Sequence, residues 1–140
     1  MNILFLFWIA RVNNGQIEWE LVDRENLQLS IVYILKCDLT GKVKIGITQH
    51  FDRRIKEVQS MCPTKLRCVV RFATMGQGLE SFLHSHFEQY RLHGEWFLIP
   101  PGKDGPIVEL TNKAVELQSK SPFENETIFK QELMYQDCPF

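Results

Sequence analysis

The sequence has no apolar run of bilayer-spanning length: a transmembrane helix needs about 20 consecutive apolar residues, and the apolar opening, Asn2 to Ala10, is less than half of that. No basic residue precedes this stretch and no small-residue cleavage site follows it, so it reads as buried structure rather than a signal peptide. The expectation is a soluble, cytoplasmic protein with no membrane partner. A CxxC pair is also missing. Cys37, Cys62, Cys68 and Cys138 are scattered, which argues against a disulfide scaffold and for reduced, mostly buried thiols. Cys62, Cys68, His84 and His86 have the spacing of no common zinc finger. Internal repeats and low-complexity tracts are absent, which excludes solenoids and a disordered linker protein.

Net charge is nearly absent too, at -1, but its distribution is uneven. Residues 36–72 hold nine basic and three acidic residues, a net of +6, and the remainder carries -7. A basic half suits a phosphate-facing surface, because neutralising nucleic-acid phosphates releases counterions. Charge alone leaves a plain solvated surface equally open. With 140 residues, 44% of them apolar and 24% charged, the chain has the composition of one ordinary globular domain.

Periodicity orders the elements. Ile3–Val12 and Gln16–Val22 flank Asn13-Asn14-Gly15, an N-terminal β-hairpin signature. After a linker at residues 23–28, the β-branched and aromatic run Ile31–Leu35 predicts a strand, with Val43–Thr48 as its hairpin return. Asp52–Ser60 shifts to helical spacing, with Ile55 and Val58 on one side. Leu66–Ala73 alternates as a third strand. Leu79, Phe82, Leu83, His86, Phe87 and Tyr90 follow a helical stripe, on which His86 is read as core or as site lining. Glu95–Ile99 is a short strand or extended segment. Pro106 opens a helix to about Gln118, and residues 121–140 form a weakly amphipathic tail, open to reading as a docking helix or as partly disordered. The fold class is α+β, with a mainly antiparallel central sheet flanked by helices. The chain divides into a hairpin extension (1–29), a central domain (30–100) and a C-terminal helix and tail (101–140).

The chemistry-bearing residues lie in the central part. Tyr33 follows Ile31-Val32; Lys44-Ile45-Gly46 begins eleven residues later, and Arg54 comes ten residues after the lysine. Glu80 and His84 share a helix face four residues apart, ahead of Gly94-Glu95-Trp96-Phe97. This order resembles the GIY-YIG nuclease superfamily. The KIG, E-x-x-x-H and GEWF motifs look like its T5orf172/MUG113-like branch, over about seventy residues, Ser30 to Pro100.

The resemblance implies a phosphodiesterase domain in which Tyr33 is the general base for water, Arg54 the phosphate clamp and Glu80 the ligand of a single Mg²⁺ or Mn²⁺. Lys44 stands where the superfamily signature has a second tyrosine; its ammonium suits both favouring the neighbouring phenolate and contacting phosphate. His84 has several readings: phosphate contact, proton donor to the leaving oxygen, orientation of Glu80, or a structural histidine. Val58 and Gly94-Glu95 stand where many superfamily members have a histidine and an asparagine, and Glu95 is a candidate second carboxylate near the metal. Lys42, Arg53, Lys56, Lys65 and Arg67 are candidate nucleic-acid contacts. Trp96 and Phe97 are assigned to the core in preference to base stacking.

The implied partner is nucleic acid, DNA ahead of RNA. The hairpin and tail are available for a homodimer or a protein partner. A catalytically weak nucleic-acid-binding module and a protein-interaction factor are the competing readings.

Overall fold

The computed structural model describes residues 6–23 and 27–120. β1 (Leu6–Asn13) and β2 (Gln16–Asp23) pair antiparallel, with Asn13 opposite Gln16. Asn14 and Gly15 both take positive φ, 53° and 75°, as a two-residue turn matched to strand twist requires. The hairpin read from Asn-Gly is therefore present from Leu6 onward, and the expected start at Ile3 lies outside the described residues.

β3 (Ser30–Lys36), β4 (Val43–Thr48), β5 (Arg67–Thr74), β6 (Arg91–His93) and β7 (Trp96–Phe97) form an antiparallel sheet in the order β5-β3-β4-β7-β6. The helices are α1 (Phe51–Ser60), α2 (Gly78–His86) and α3 (Gly105–Lys120). Central β3 is buried on both faces, so Val32–Leu35 reads as an unbroken apolar run, not as an alternation.

The two faces carry separate cores. Val32, Ile34, Ile45 and Phe72 pack with Leu79 and Leu83 of α2, Ile107 and Leu110 of α3, and Ala10 and Ile17 of the hairpin. On the opposite face Tyr33 and Leu35 lie under Phe51, Ile55 and Val58 of α1. The hairpin joins the first core: Ile9 and Ala10 are fully buried, and Thr74 Oγ1 donates to the Ala10 carbonyl at 2.6 Å.

Two elements differ from the sequence reading. The helix expected through Tyr90 stops at His86, and Glu88–Tyr90 tightens into a 3₁₀ turn. Leu98 N–H donates to the Tyr90 carbonyl at 2.9 Å, so that carbonyl is committed to the returning strand instead of a further helical turn. The chain then makes a short hairpin, β6 to β7, around Gly94 at φ +55°. His86 is exposed at the helix end, not buried, because the stripe that carried it breaks there. The 121–140 tail lies outside the described residues. Among those residues, no helix is long and apolar enough to cross a membrane.

Candidate active site

The site forms where β7 leaves β4. β7 pairs with β4 only through Val43 and Lys44, so the backbone groups of Ile45 face an open edge. Its N–H is taken by the Glu95 carbonyl at 3.0 Å and its carbonyl by His84 Nε2 at 2.9 Å. Both satisfy backbone groups that would otherwise be buried unpaired. They also bring α2 and the β6–β7 turn to the same edge.

Tyr33 is fully buried on β3, its ring edge-on to Phe51 at 6.1 Å between centroids. Gly46 is its partner across the β3–β4 pair. A Cβ at residue 46 would lie 2.4 Å from the Tyr33 hydroxyl, so the phenol crosses β4 only because that residue has no side chain. The Gly46→Ala variant is expected to lose about 1–3 kcal/mol in denaturant unfolding, the usual cost of overpacking a filled interior. Stability equal to wild type would show that the ring moves aside freely.

The Tyr33 hydroxyl has no hydrogen-bond partner. Burial raises its pKa above the ordinary phenol value; Arg54 opposes this in part, and the Glu95 and Glu80 carboxylates push the same way as burial. At rest the group is a neutral phenol. Arg54 reaches it from α1: the phenol and Glu57 together favour the charged guanidinium, although no well-formed hydrogen bond closes onto Tyr33. Arg54 Nη1 donates to Glu57 at 3.2 Å, and about a third of the arginine side chain stays open to solvent.

Lys44, partner of Trp96 across β4–β7, is almost entirely buried. Its Nζ lies 3.0 Å from Glu95 Oε1 and 5.5 Å from the Trp96 ring centroid. Glu80, in the first turn of α2, points one carboxylate oxygen into the interior, where Oε2 has no hydrogen-bond partner. Burial raises the Glu80 pKa, and Glu95 adds to the rise, while His84 and Lys44 oppose it. His84 Nε2 is 4.0 Å from Glu80 Oε2. Because the Ile45 carbonyl only accepts, Nε2 carries the hydrogen, and the ring is further held at 5.4 Å from Phe97.

One ligand atom each from Glu80, His84 and Glu95 lies within 4.8 Å of the other two. Two crowded carboxylates, one with an unpartnered buried oxygen, fit a hard divalent cation such as Mg²⁺ or Mn²⁺. No zinc set forms from the cysteines: this trio is the one such cluster among the described residues.

The remaining candidates are spread more widely. Arg53 is exposed, with Nε 3.7 Å from Glu57, and Lys56 is exposed on α1. Lys42 is exposed beside Lys44 and Trp96. Lys65 and Arg67 line a separate pocket, where Arg67 forks onto Asp38 with two contacts of 3.0 Å. Phe97 is core, as read, whereas Trp96 is only partly buried. Arg71, counted in the sequence only within the basic half, lies on the Tyr33 face. It pairs with Tyr33 across β3–β5, is 2% exposed, and places its guanidinium carbon 4.1 Å from the Phe51 ring centroid. An arginine within the apolar run Val69–Ala73 was the available signal.

A family model described as the T5orf172 domain matches residues 30–129. No curated protein and no solved structure matches the chain.

Proposed function

Because this chain belongs to the T5orf172 domain family, a nuclease-related family, we propose that it is a metal-dependent endonuclease hydrolysing phosphodiester bonds in nucleic acid, DNA in preference to RNA. The observation that carries this reading is the convergence of the Tyr33 phenol, two cations and the Glu80–His84–Glu95 cluster on the open edge of β4. Sequence places these groups up to 62 residues apart. Unpartnered polar atoms on Tyr33 and Glu80 concentrate there, as expected where structure is kept for chemistry.

In this mechanism Arg54 and Lys44 receive the non-bridging phosphoryl oxygens; a guanidinium suits planar two-oxygen contact and an ammonium acts as a point charge. Tyr33, once deprotonated beside Arg54, accepts a proton from water at Oη. The water oxygen then bonds to phosphorus as the bond to the leaving oxygen breaks. Glu80 and Glu95 would hold Mg²⁺ or Mn²⁺, which supplies positive charge to the phosphoryl and leaving oxygens when bound. His84 keeps Glu80 and the β4 edge in register.

The test is cleavage of end-labelled single-stranded, duplex and branched DNA and of RNA, with Mg²⁺ or Mn²⁺ and then with excess chelator. Cleavage is expected with metal and is abolished by chelation, with DNA cut faster than RNA. Undiminished cutting under chelation would defeat the mechanism, and binding without cleavage would favour the nucleic-acid-binding module.

A further inference from the structure

A groove of about 380 Å³ adjoins the site, bordered by the loop between β3 and β4, the end of α1 and β7. Its walls include Lys42, Lys44, Met61, Thr64, His93 and Trp96, and no acidic residue of the described chain lines it. Lys44 belongs both to this wall and to the acidic cluster, through its 3.0 Å contact with Glu95. The groove and the acidic cluster therefore share one side chain.

We propose that this groove receives one unpaired nucleotide next to the scissile phosphate, so that the preferred substrate is single-stranded or locally unpaired nucleic acid. The inference rests on the nuclease reading above for its place beside the cut. The walls match the parts of a nucleotide. The Trp96 indole is partly exposed and lines the groove, with the Lys44 ammonium 5.5 Å from its ring centroid, and the sequence-tolerant stacking of bases on aromatics is a common means of holding single strands. Met61 is 72% exposed, an apolar side chain that core packing does not explain and that suits the rim of a base pocket. Lys42, Lys44 and His93 supply donors for phosphate, and the Thr64 hydroxyl offers a polar contact for a base edge.

Size and geometry set the pairing state. The volume falls at the lower end of small-ligand sites, about 300–1,000 Å³, which suits a single nucleotide and not a duplex. A base inside a duplex has both faces covered by its neighbours, so it reaches Trp96 only if it is unpaired or turned out of the stack. Opening a base costs least at a bulge, a mismatch or a single-stranded junction.

Fluorescence anisotropy on the full chain tests this with Glu80→Gln as the cleavage-silent background. The probes are a labelled fully paired hairpin, the same hairpin with a one-nucleotide bulge, and a short single strand. The bulged and single-stranded probes are expected to bind about tenfold more tightly than the paired one, and Trp96→Leu is expected to remove that advantage. Met61→Glu, a rim change away from the core, is expected to weaken the unpaired probes several-fold at an unchanged melting temperature, which keeps the test valid if Trp96→Leu fails to fold. Equal affinity for paired and unpaired probes, or a preference that survives Met61→Glu, overturns the groove assignment.

The two readings fail separately. Preference for unpaired probes that depends on Met61, in a wild-type protein that never cuts, supports the groove and removes the nuclease. Metal-dependent cutting of paired and bulged hairpins at the same rate keeps the nuclease and removes the groove.

Discussion

Tyr33→Phe is expected to slow metal-dependent cleavage by about 10²- to 10⁴-fold, the range for losing a positioned general acid or base, while leaving the protein at least as stable as wild type. These two results rarely occur together in a buried residue, which makes the pair diagnostic. The ring stays in place against Phe51 and across Gly46, so packing is preserved. Only the hydroxyl goes, and it is a buried polar atom with no hydrogen-bond partner. Removing such a group recovers desolvation cost and gives up no bond, for a change of about 0–1 kcal/mol in favour of the variant.

The same burial predicts the pH dependence of the wild type. Folding raises the Tyr33 pKa, so the native state holds the phenolic proton more tightly than the unfolded chain does. Stability from this group is then fully present below the ordinary phenol value of about 10 and is lost as pH rises through the raised folded value. Cleavage should move the opposite way, increasing toward alkaline pH as phenolate forms. Single-turnover rates and thermal melts across that range measure both. Undiminished cleavage by Tyr33→Phe would reduce Tyr33 to a packing residue.

Glu80→Gln is expected to abolish cleavage and, in the absence of divalent metal at neutral pH, to raise stability by about 1 kcal/mol. Glutamine keeps the shape but removes a carboxyl whose ionised form is disfavoured by burial and by Glu95, and whose Oε2 has no partner. The folded-state pKa of Glu80 is raised, so its destabilising effect is absent below the ordinary glutamate value of about 4.3. The penalty grows as pH rises toward the folded value and is constant above it. The gap in melting temperature between variant and wild type should open along that course.

Added Mg²⁺ or Mn²⁺ should then reverse the order, raising the melting temperature of wild type through binding to the native state and leaving that of Glu80→Gln nearly unchanged. Scanning fluorimetry with and without metal measures this. Equal metal-induced shifts in both proteins would remove Glu80 from the cation site.

Much of the domain was legible because local patterns carry it. The Asn14-Gly15 turn, the β-branched run of β3 and the amphipathic spacing of α1 each encode their element within a few residues. Tyr33, Lys44, Arg54, Glu80 and His84 were singled out by the family resemblance that their ordered motifs carry, and the fold brings them close to one another. Gly46 was visible as part of a motif, but its purpose was not. Only the register that sets it opposite Tyr33 shows why a Cβ is excluded.

What the sequence by itself determined is therefore the set of elements, the antiparallel α+β class and the chemical character of the candidate groups. The tertiary structure decided which groups meet. Glu95 joins Lys44 across 51 residues because β7 ends after two pairings and leaves the Ile45 edge to the Glu95 backbone and His84. Arg71 reaches the Tyr33 face through strand pairing, and Trp96 packs against the second core while its remaining surface lines a groove. Periodicity reports which face a side chain takes within its own element. Where an edge stays open, and what distant segment satisfies its backbone, depends on contacts that no local pattern contains.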